Sequence, residues 1–291
     1  MEPVPVSRRH IRVSSLGRLS GLFSVVVAII SAGVLTGSTP SFTGLDVPEP
    51  PSDPNTLVLQ LHLWRSMSGP PELAELPEFS LYGGGRVIVG NTWDGSSHRA
   101  RELTLSPDRY RQIYRLAHAA GLARSHHLPE PEETTDGTLL VAELRSAGRL
   151  HTTTVVSLRQ GFETGARRRI AEFRRTVRQL AVPTDPARTT DYLPERVAVL
   201  ATGGWFVGGV SGIPERQWPD GDLQAGVRTD LGECTTHSGA AVPGIEALGR
   251  STPLGTQWLS GEKQSSGVVV LIRPLLPDED DCADLNRQRP G

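Results

Sequence analysis

The sequence predicts an α+β fold: an antiparallel sheet with two covering helices, followed by a β-rich second lobe closed by a disulfide. Three observations lead there. Apolar runs rich in Leu, Val and Ile come in pairs about glycine turns. A segment with helical spacing of apolar residues follows each pair. The only two cysteines, Cys234 and Cys282, both lie in the carboxy-terminal lobe.

Residues 57–64 read as the first strand. Residues 78–82 and 86–89 flank Gly83, Gly84 and Gly85, which supply the positive φ of a tight turn and so predict a β-hairpin. A helix follows, with Ser106 as its cap and Pro107 as its first residue. Tyr110, Ile113, Leu116, Ala117 and Ala120 line one face of it, and Gly121 ends it. Residues 138–144 and 150–156 form a second hairpin about Ala147 and Gly148. The second helix spans about 162–180, with Ile170, Phe173, Val177 and Leu180 as its buried stripe. Arg167, Arg168, Arg174, Arg175 and Arg178 occupy much of the rest of that helix. Residues 183–190 look like a linker. The second lobe, 191–284, opens with a strand at 196–201, has a short helix near 245–248 and a late strand at 268–273, and leaves 285–291 as a tail. No internal repeat is visible.

Ahead of the α+β domain at 57–183 lies a different kind of sequence. Residues 1–18 carry Arg8, Arg9, Arg12 and Arg18 against Glu2, whereas residues 19–45 carry no charge. A helix over 19–35 would span about 25 Å, against a hydrocarbon core of roughly 30 Å. The segment 19–37 therefore reads either as a cleaved signal peptide or as a transmembrane anchor. The preceding arginines would hold 1–18 in the cytoplasm and place the body outside. Arg8 and Arg9 also admit a twin-arginine export route. Residues 38–56, with Pro40, Pro48, Pro50, Pro51 and Pro54, predict a stiff spacer. The localisation expected is the cell membrane with an extracytoplasmic body, or secretion after cleavage.

The oxidising exterior favours a disulfide between Cys234 and Cys282. Cys234 and His237 have metal-ligand spacing, but no second pair completes a site. Without its first eighteen residues the chain holds 26 basic and 31 acidic residues, so no nucleic-acid partner is expected.

Leu81-Tyr82-Gly83-Gly84-Gly85-Arg86-Val87-Ile88, the helix end Ala119-Ala120-Gly121-Leu122, Thr135-Asp136, and the tail Arg273-Pro274-Leu275-Leu276-Pro277-Asp278-Glu279 form a recognisable set. Together they resemble an uncharacterised family of secreted or membrane-tethered proteins of high-GC actinobacteria. The likeness covers most of residues 57–282. The family hairpin reads Y-G-D-G, and here Gly84 stands in place of the Asp, so no role for that carboxylate carries over. The resemblance implies location and fold style and transfers no catalytic residue.

Few residues suggest chemistry. Ser260 and Lys263 match S-x-x-K, but S-D-N and K-T-G are missing and the Gly/Ser context opposes a helix. His126 and His127, with Glu130, Glu132, Glu133 and Asp136, form a divalent-metal candidate, although adjacent histidines in a strand point to opposite faces. Asp278, Glu279, Asp280 and Asp281 form a weak calcium candidate that lacks a bend-making glycine. The arginines of the second helix could meet anionic lipid or wall polymer, and Trp205, Trp218 and Trp258 could form a sugar-stacking surface. No G-x-S-x-G, P-loop, G-x-G-x-x-G or H-E-x-x-H occurs. No cofactor, metal or catalytic residue is assigned. The expected function is an extracytoplasmic, non-enzymatic binding or interaction module of the bacterial cell envelope. Its partner would be an envelope component or membrane protein, with membrane attachment through 19–37. The alternatives are a membrane-anchored sensor or regulatory subunit, or an envelope hydrolase.

Overall fold

Leucines alternate with polar or aromatic residues along the first strand, β1 (Leu57–Arg65), so its two faces enter different environments. Leu59 and Leu61 enter the main apolar core, while Gln60, His62 and Trp64 lie on the opposite face, also buried. The chain continues through β2 (Phe79–Tyr82), β3 (Arg86–Asp94), β4 (Ser97–Thr104), α1 (Pro107–Ala120), β5 (His126–Leu128), β6 (Thr138–Ser146), β7 (Arg149–Val156) and α2 (Gly165–Ala181). It then forms β8 (Thr190–Asp191), β9 (Arg196–Thr202), β10 (Glu215–Gln217), β11 (Val227–Thr229), β12 (Gly232–Ser238), α3 (Val242–Arg250), β13 (Gln257–Leu259), β14 (Val268–Pro274) and α4 (Cys282–Arg287). The structure is a computed structural model and describes residues 47–65, 74–129, 138–158, 164–181, 188–203, 215–229, 232–260 and 267–287. The basic segment 1–18, the apolar segment 19–37 and residues 38–46 of the spacer lie outside the described residues. Among the described residues no helix is long and apolar enough to cross a membrane.

The fold is α+β, dominated by one sheet in the order β11-β12-β9-β14-β4-β3-β2-β1-β6-β7-β5. Most pairings are antiparallel, but β14–β4, β5–β7 and β10–β13 are parallel. Helix α1 begins and ends where its signals stand: Ser106 Oγ accepts from the Arg109 amide, and Gly121 closes the helix at φ 93°. Ala147 and Gly148, both at positive φ, make the β6–β7 turn. Ile113, Tyr114 and Ala117 of α1 share one buried cluster with Ile170, Phe173 and Val177 of α2 and with Leu59, Phe79, Leu81, Val87 and Leu140 of the strands.

The two lobes read from the sequence share this sheet. Ile272 of β14 pairs with Ser97 of β4. The β3–β4 tip reaches the end of α3, where the Ser96 amide donates to the Gly249 and Thr252 carbonyls at 2.9 Å. The region expected as a linker also supplies β8, which pairs with β4. The last part of the Pro-rich spacer is seated on the body. The Gly83 amide donates to the Thr56 carbonyl at 3.0 Å, and the Tyr110 hydroxyl donates to the Pro51 carbonyl at 2.5 Å. Residues 47–56 are therefore packed structure, which differs from the stiff spacer predicted for all of 38–56.

Candidate functional site

The residues expected to carry chemistry mostly serve the fold. Trp218 and Trp258 are 5% and 3% exposed and meet edge to face at 5.2 Å. They fill the core between β9, β14 and α3 and present no sugar-stacking surface, which corrects that expectation; Trp205 lies outside the described residues. Indoles bury large apolar areas, and here they pack among the aliphatic side chains of that cluster. Ser260 follows β13, outside any helix; its Oγ accepts from the Leu223 amide and donates to Asp222 Oδ1, both at 2.9 Å, while Lys263 lies outside the described residues. His126 and His127 are exposed on the edge strand β5, and Glu130, Glu132, Glu133 and Asp136 lie outside the described residues. Among the described residues no group of three or more ligating side chains could hold a metal ion. On α2, Arg174 is buried and bonds both oxygens of Glu78, and Arg167 donates to the carbonyls of Leu128, Pro129, Val156 and Ser157. Arg168, Arg175 and Arg178 remain exposed.

The Cys234–Cys282 disulfide is present, with a Cα–Cα distance of 5.9 Å, and both cysteines are buried. It ties α4 to β12. The acidic run just before Cys282 has four separate tasks. Asp278 Oδ1 accepts from the Tyr82 hydroxyl at 2.6 Å. Glu279, 1% exposed, pairs with Arg273, 0% exposed, at 2.5 and 2.8 Å. Asp281 Oδ1 accepts from the Ala283 amide at the start of α4. Asp280 Oδ1 pairs with Arg196 at 3.1 Å. These carboxylates point to different partners instead of converging as a calcium loop requires.

Sequence reasoning missed the polar group beneath this turn. On β1, His62 stacks on Trp64 with ring centroids 3.8 Å apart. On the β3–β4 hairpin, Trp93 meets His98 edge to face at 4.9 Å, just beyond an irregularity in the pairing that follows Gly90. The parallel Ile272–Ser97 pairing sets Arg273 beside His98 on neighbouring strands. Burial, then the charge of Arg273, holds the His62 imidazole down at about 3. The same two causes, in the same order, hold His98 at about 4. Both rings are therefore neutral near neutral pH. His62 Nδ1 and Nε2, Trp64 Nε1, His98 Nδ1 and Arg273 Nε are all buried and have no hydrogen-bond partner among the described residues. The available signal was the alternation in β1, which puts Gln60, His62 and Trp64 on one face of a strand whose other face is all leucine.

At the border of this group sit two carboxylates. Asp278 is solvent-exposed, yet crowding by surrounding protein raises its pKa. Glu143 of β6, half-buried, is also raised, first by burial and further by the charge of Asp278, while it accepts from Thr152 Oγ1 at 3.3 Å. No protein-family model, curated protein or solved structure matches this chain.

Proposed function

We propose that the chain is an extracytoplasmic, non-enzymatic binding module of the bacterial cell envelope, delivered by residues 19–37 and held at the membrane or released from it. The observation that carries this reading is the Cys234–Cys282 disulfide. Buried bridges of this kind persist in oxidising compartments and are rare where thiols are kept reduced. The run of arginines followed by an uncharged apolar segment supports the same direction of insertion. The ligand would be an envelope component or a membrane protein. The carboxylates Glu143 and Asp278, whose pKa values burial raises, favour a second reading, an envelope hydrolase, because general acid catalysis calls for a carboxyl whose pKa is shifted upward.

The test is topological. In intact cells expressing the full chain, added protease should digest the body from outside, and a thiol-alkylating reagent should find Cys234 and Cys282 already oxidised. A body protected in sealed cells, with both thiols free, would overturn the proposal. Turnover of a cell-wall polymer that disappears in both Glu143→Gln and Asp278→Asn would move the reading to the hydrolase.

A further inference from the structure

Five of the seven buried side-chain nitrogens without a hydrogen-bond partner among the described residues belong to His62, Trp64, His98 and Arg273. The other two, on His118 and Trp258, are isolated cases elsewhere in the fold. Unpartnered buried polar groups are few in folded proteins and each is costly, so a concentration of five in one place calls for a physical reason. The chemistry of these nitrogens is lopsided. Arg273 Nε–H and Trp64 Nε1–H can only donate, and each imidazole becomes a pure donor once protonated. Water would satisfy the donors and could place its protons on the acceptor nitrogens of the neutral imidazoles, whereas once an imidazole is protonated the cluster holds donors in excess. An oxygen anion brings acceptors alone.

We propose that His62, Trp64, His98 and Arg273 form an internal binding site for a small oxygen anion, a carboxylate or oxyanion. The charge balance sets how it works. Glu279 already neutralises Arg273 through both terminal nitrogens, leaving Nε–H as the unused arm of the guanidinium. A second negative charge is therefore balanced only when an imidazole takes up a proton. His98 is suited to this, because its contact with the Arg99 backbone favours the charged ring and opposes the effect of burial. The charged and titratable groups that act on the two rings are Arg273 on β14, which faces both, and His98, which acts on His62; Glu279 in the turn after β14 is the partner of Arg273. Anion binding is thus coupled to proton uptake and strengthens as pH falls. This inference rests on the cluster alone and stands whether or not the chain is exported.

The test is calorimetric titration of the full chain with sodium formate and, separately, inorganic phosphate, at about pH 5.5 and about pH 8, in buffers of different ionisation heat. At least one anion should bind roughly tenfold or more tightly at the lower pH, with about one proton taken up per anion. The pair of probes shows whether the site takes a planar carboxylate or a tetrahedral oxyanion. Trp64→Phe keeps the ring and removes one donor, so it should weaken binding at both pH values, and the double variant His62→Gln, His98→Gln should abolish the proton uptake. A crystal structure of the unaltered chain grown with the better anion should show it against Arg273 Nε, which keeps the proposal testable if a variant fails to fold. Absence of binding by both anions, binding without proton uptake, binding indifferent to Trp64→Phe, or ordered waters alone against these nitrogens would each overturn it.

Discussion

Arg273 and Glu279 are joined by two charge-assisted hydrogen bonds between side chains that solvent does not reach. The Glu279 carboxylate also accepts from the Leu276 amide at 2.8 Å, so one group neutralises the strand's arginine and shapes the turn that follows it. Burying two ions is costly, and the attraction between them offsets that cost only when both are present. The carboxy-terminal turn is thus coupled to the middle of the sheet through this buried pair, beside the Tyr82–Asp278 hydrogen bond.

Replacing one partner should therefore be far worse than replacing both. Glu279→Gln leaves Arg273 buried without its counter-charge and should cost about 3–5 kcal/mol in urea-induced unfolding. The double change Arg273→Met, Glu279→Leu should recover most of that loss. If the single and double variants unfold at the same urea concentration, the pair is not the coupling element.

Acid should weaken the fold through its two buried histidines. His62 and His98 sit at about 3 and about 4 in the folded chain, against 6.5 in the unfolded one. Above pH 6.5 both states are neutral and nothing is lost. Below it the unfolded chain binds protons that the folded chain refuses, at about 1.4 kcal/mol per pH unit for each histidine. By about pH 5 each ring should have cost about 2 kcal/mol. Asp278 and Glu143, whose pKa values are raised by folding, act in the opposite sense and stabilise the fold as they take up protons. Unfolding midpoints measured from neutral pH downward should fall with this slope, and His62→Phe should flatten it. Equal slopes in the two proteins would remove His62 from the account.

The disulfide holds the same region from its other end. Its loop of 48 residues corresponds to a loss of about 2–4 kcal/mol on reduction. The loss should be uneven. Hydrogen exchange in the paired variant Cys234→Ala, Cys282→Ala should quicken first in α4 and the turn at 275–281, while α1 and α2 keep their protection. Uniform acceleration across the chain would show that the bridge acts only through the unfolded state.

Much of this fold was legible in the sequence because its signals are local. Ser106, Pro107 and Gly121 bound α1, and the glycines at 83–85 and 148 make the two hairpin turns. Strand order is a different kind of information. The parallel pairing of Ile272 with Ser97 joins segments far apart in the chain, and no local pattern announces it. The same limit hid the site. The acidic run at 278–281 reads as one charged surface turn, yet Glu279 turns inward to an arginine that its apolar strand gives no reason to expect. Trp218 and Trp258 carry no mark distinguishing a core ring from a surface ring, because burial depends on what lies opposite.

Those two indoles give a direct measure of that difference. Each lines the cluster with Val199, Ile245 and Ile272, so Trp258→Ala should cost about 3–5 kcal/mol. A surface residue such as Leu193, 80% exposed, should tolerate the same change within about 0.5 kcal/mol. Denaturant titration of both variants separates the cases, and a fully stable Trp258→Ala would return that ring to the surface.

The seating of residues 47–56 depends on a missing side chain. A Cβ at Gly83 would lie 2.1 Å from the Asp53 carbonyl oxygen, closer than any atom pair tolerates, and the obstacle is backbone that has no rotamer to move. Gly83→Ala should therefore push 47–56 off the hairpin, breaking the Gly83–Thr56 and Tyr110–Pro51 hydrogen bonds. The expected cost is about 1–3 kcal/mol, together with new proteolytic cleavage between residues 47 and 56. Gly148→Ala is the control. It sits at φ 76° with open space around it, so it should incur about 1–2 kcal/mol of backbone strain and leave cleavage at 47–56 unchanged. Cleavage that rises equally in both variants would mean that the segment responds to general loss of stability and that its seat on Gly83 is incidental.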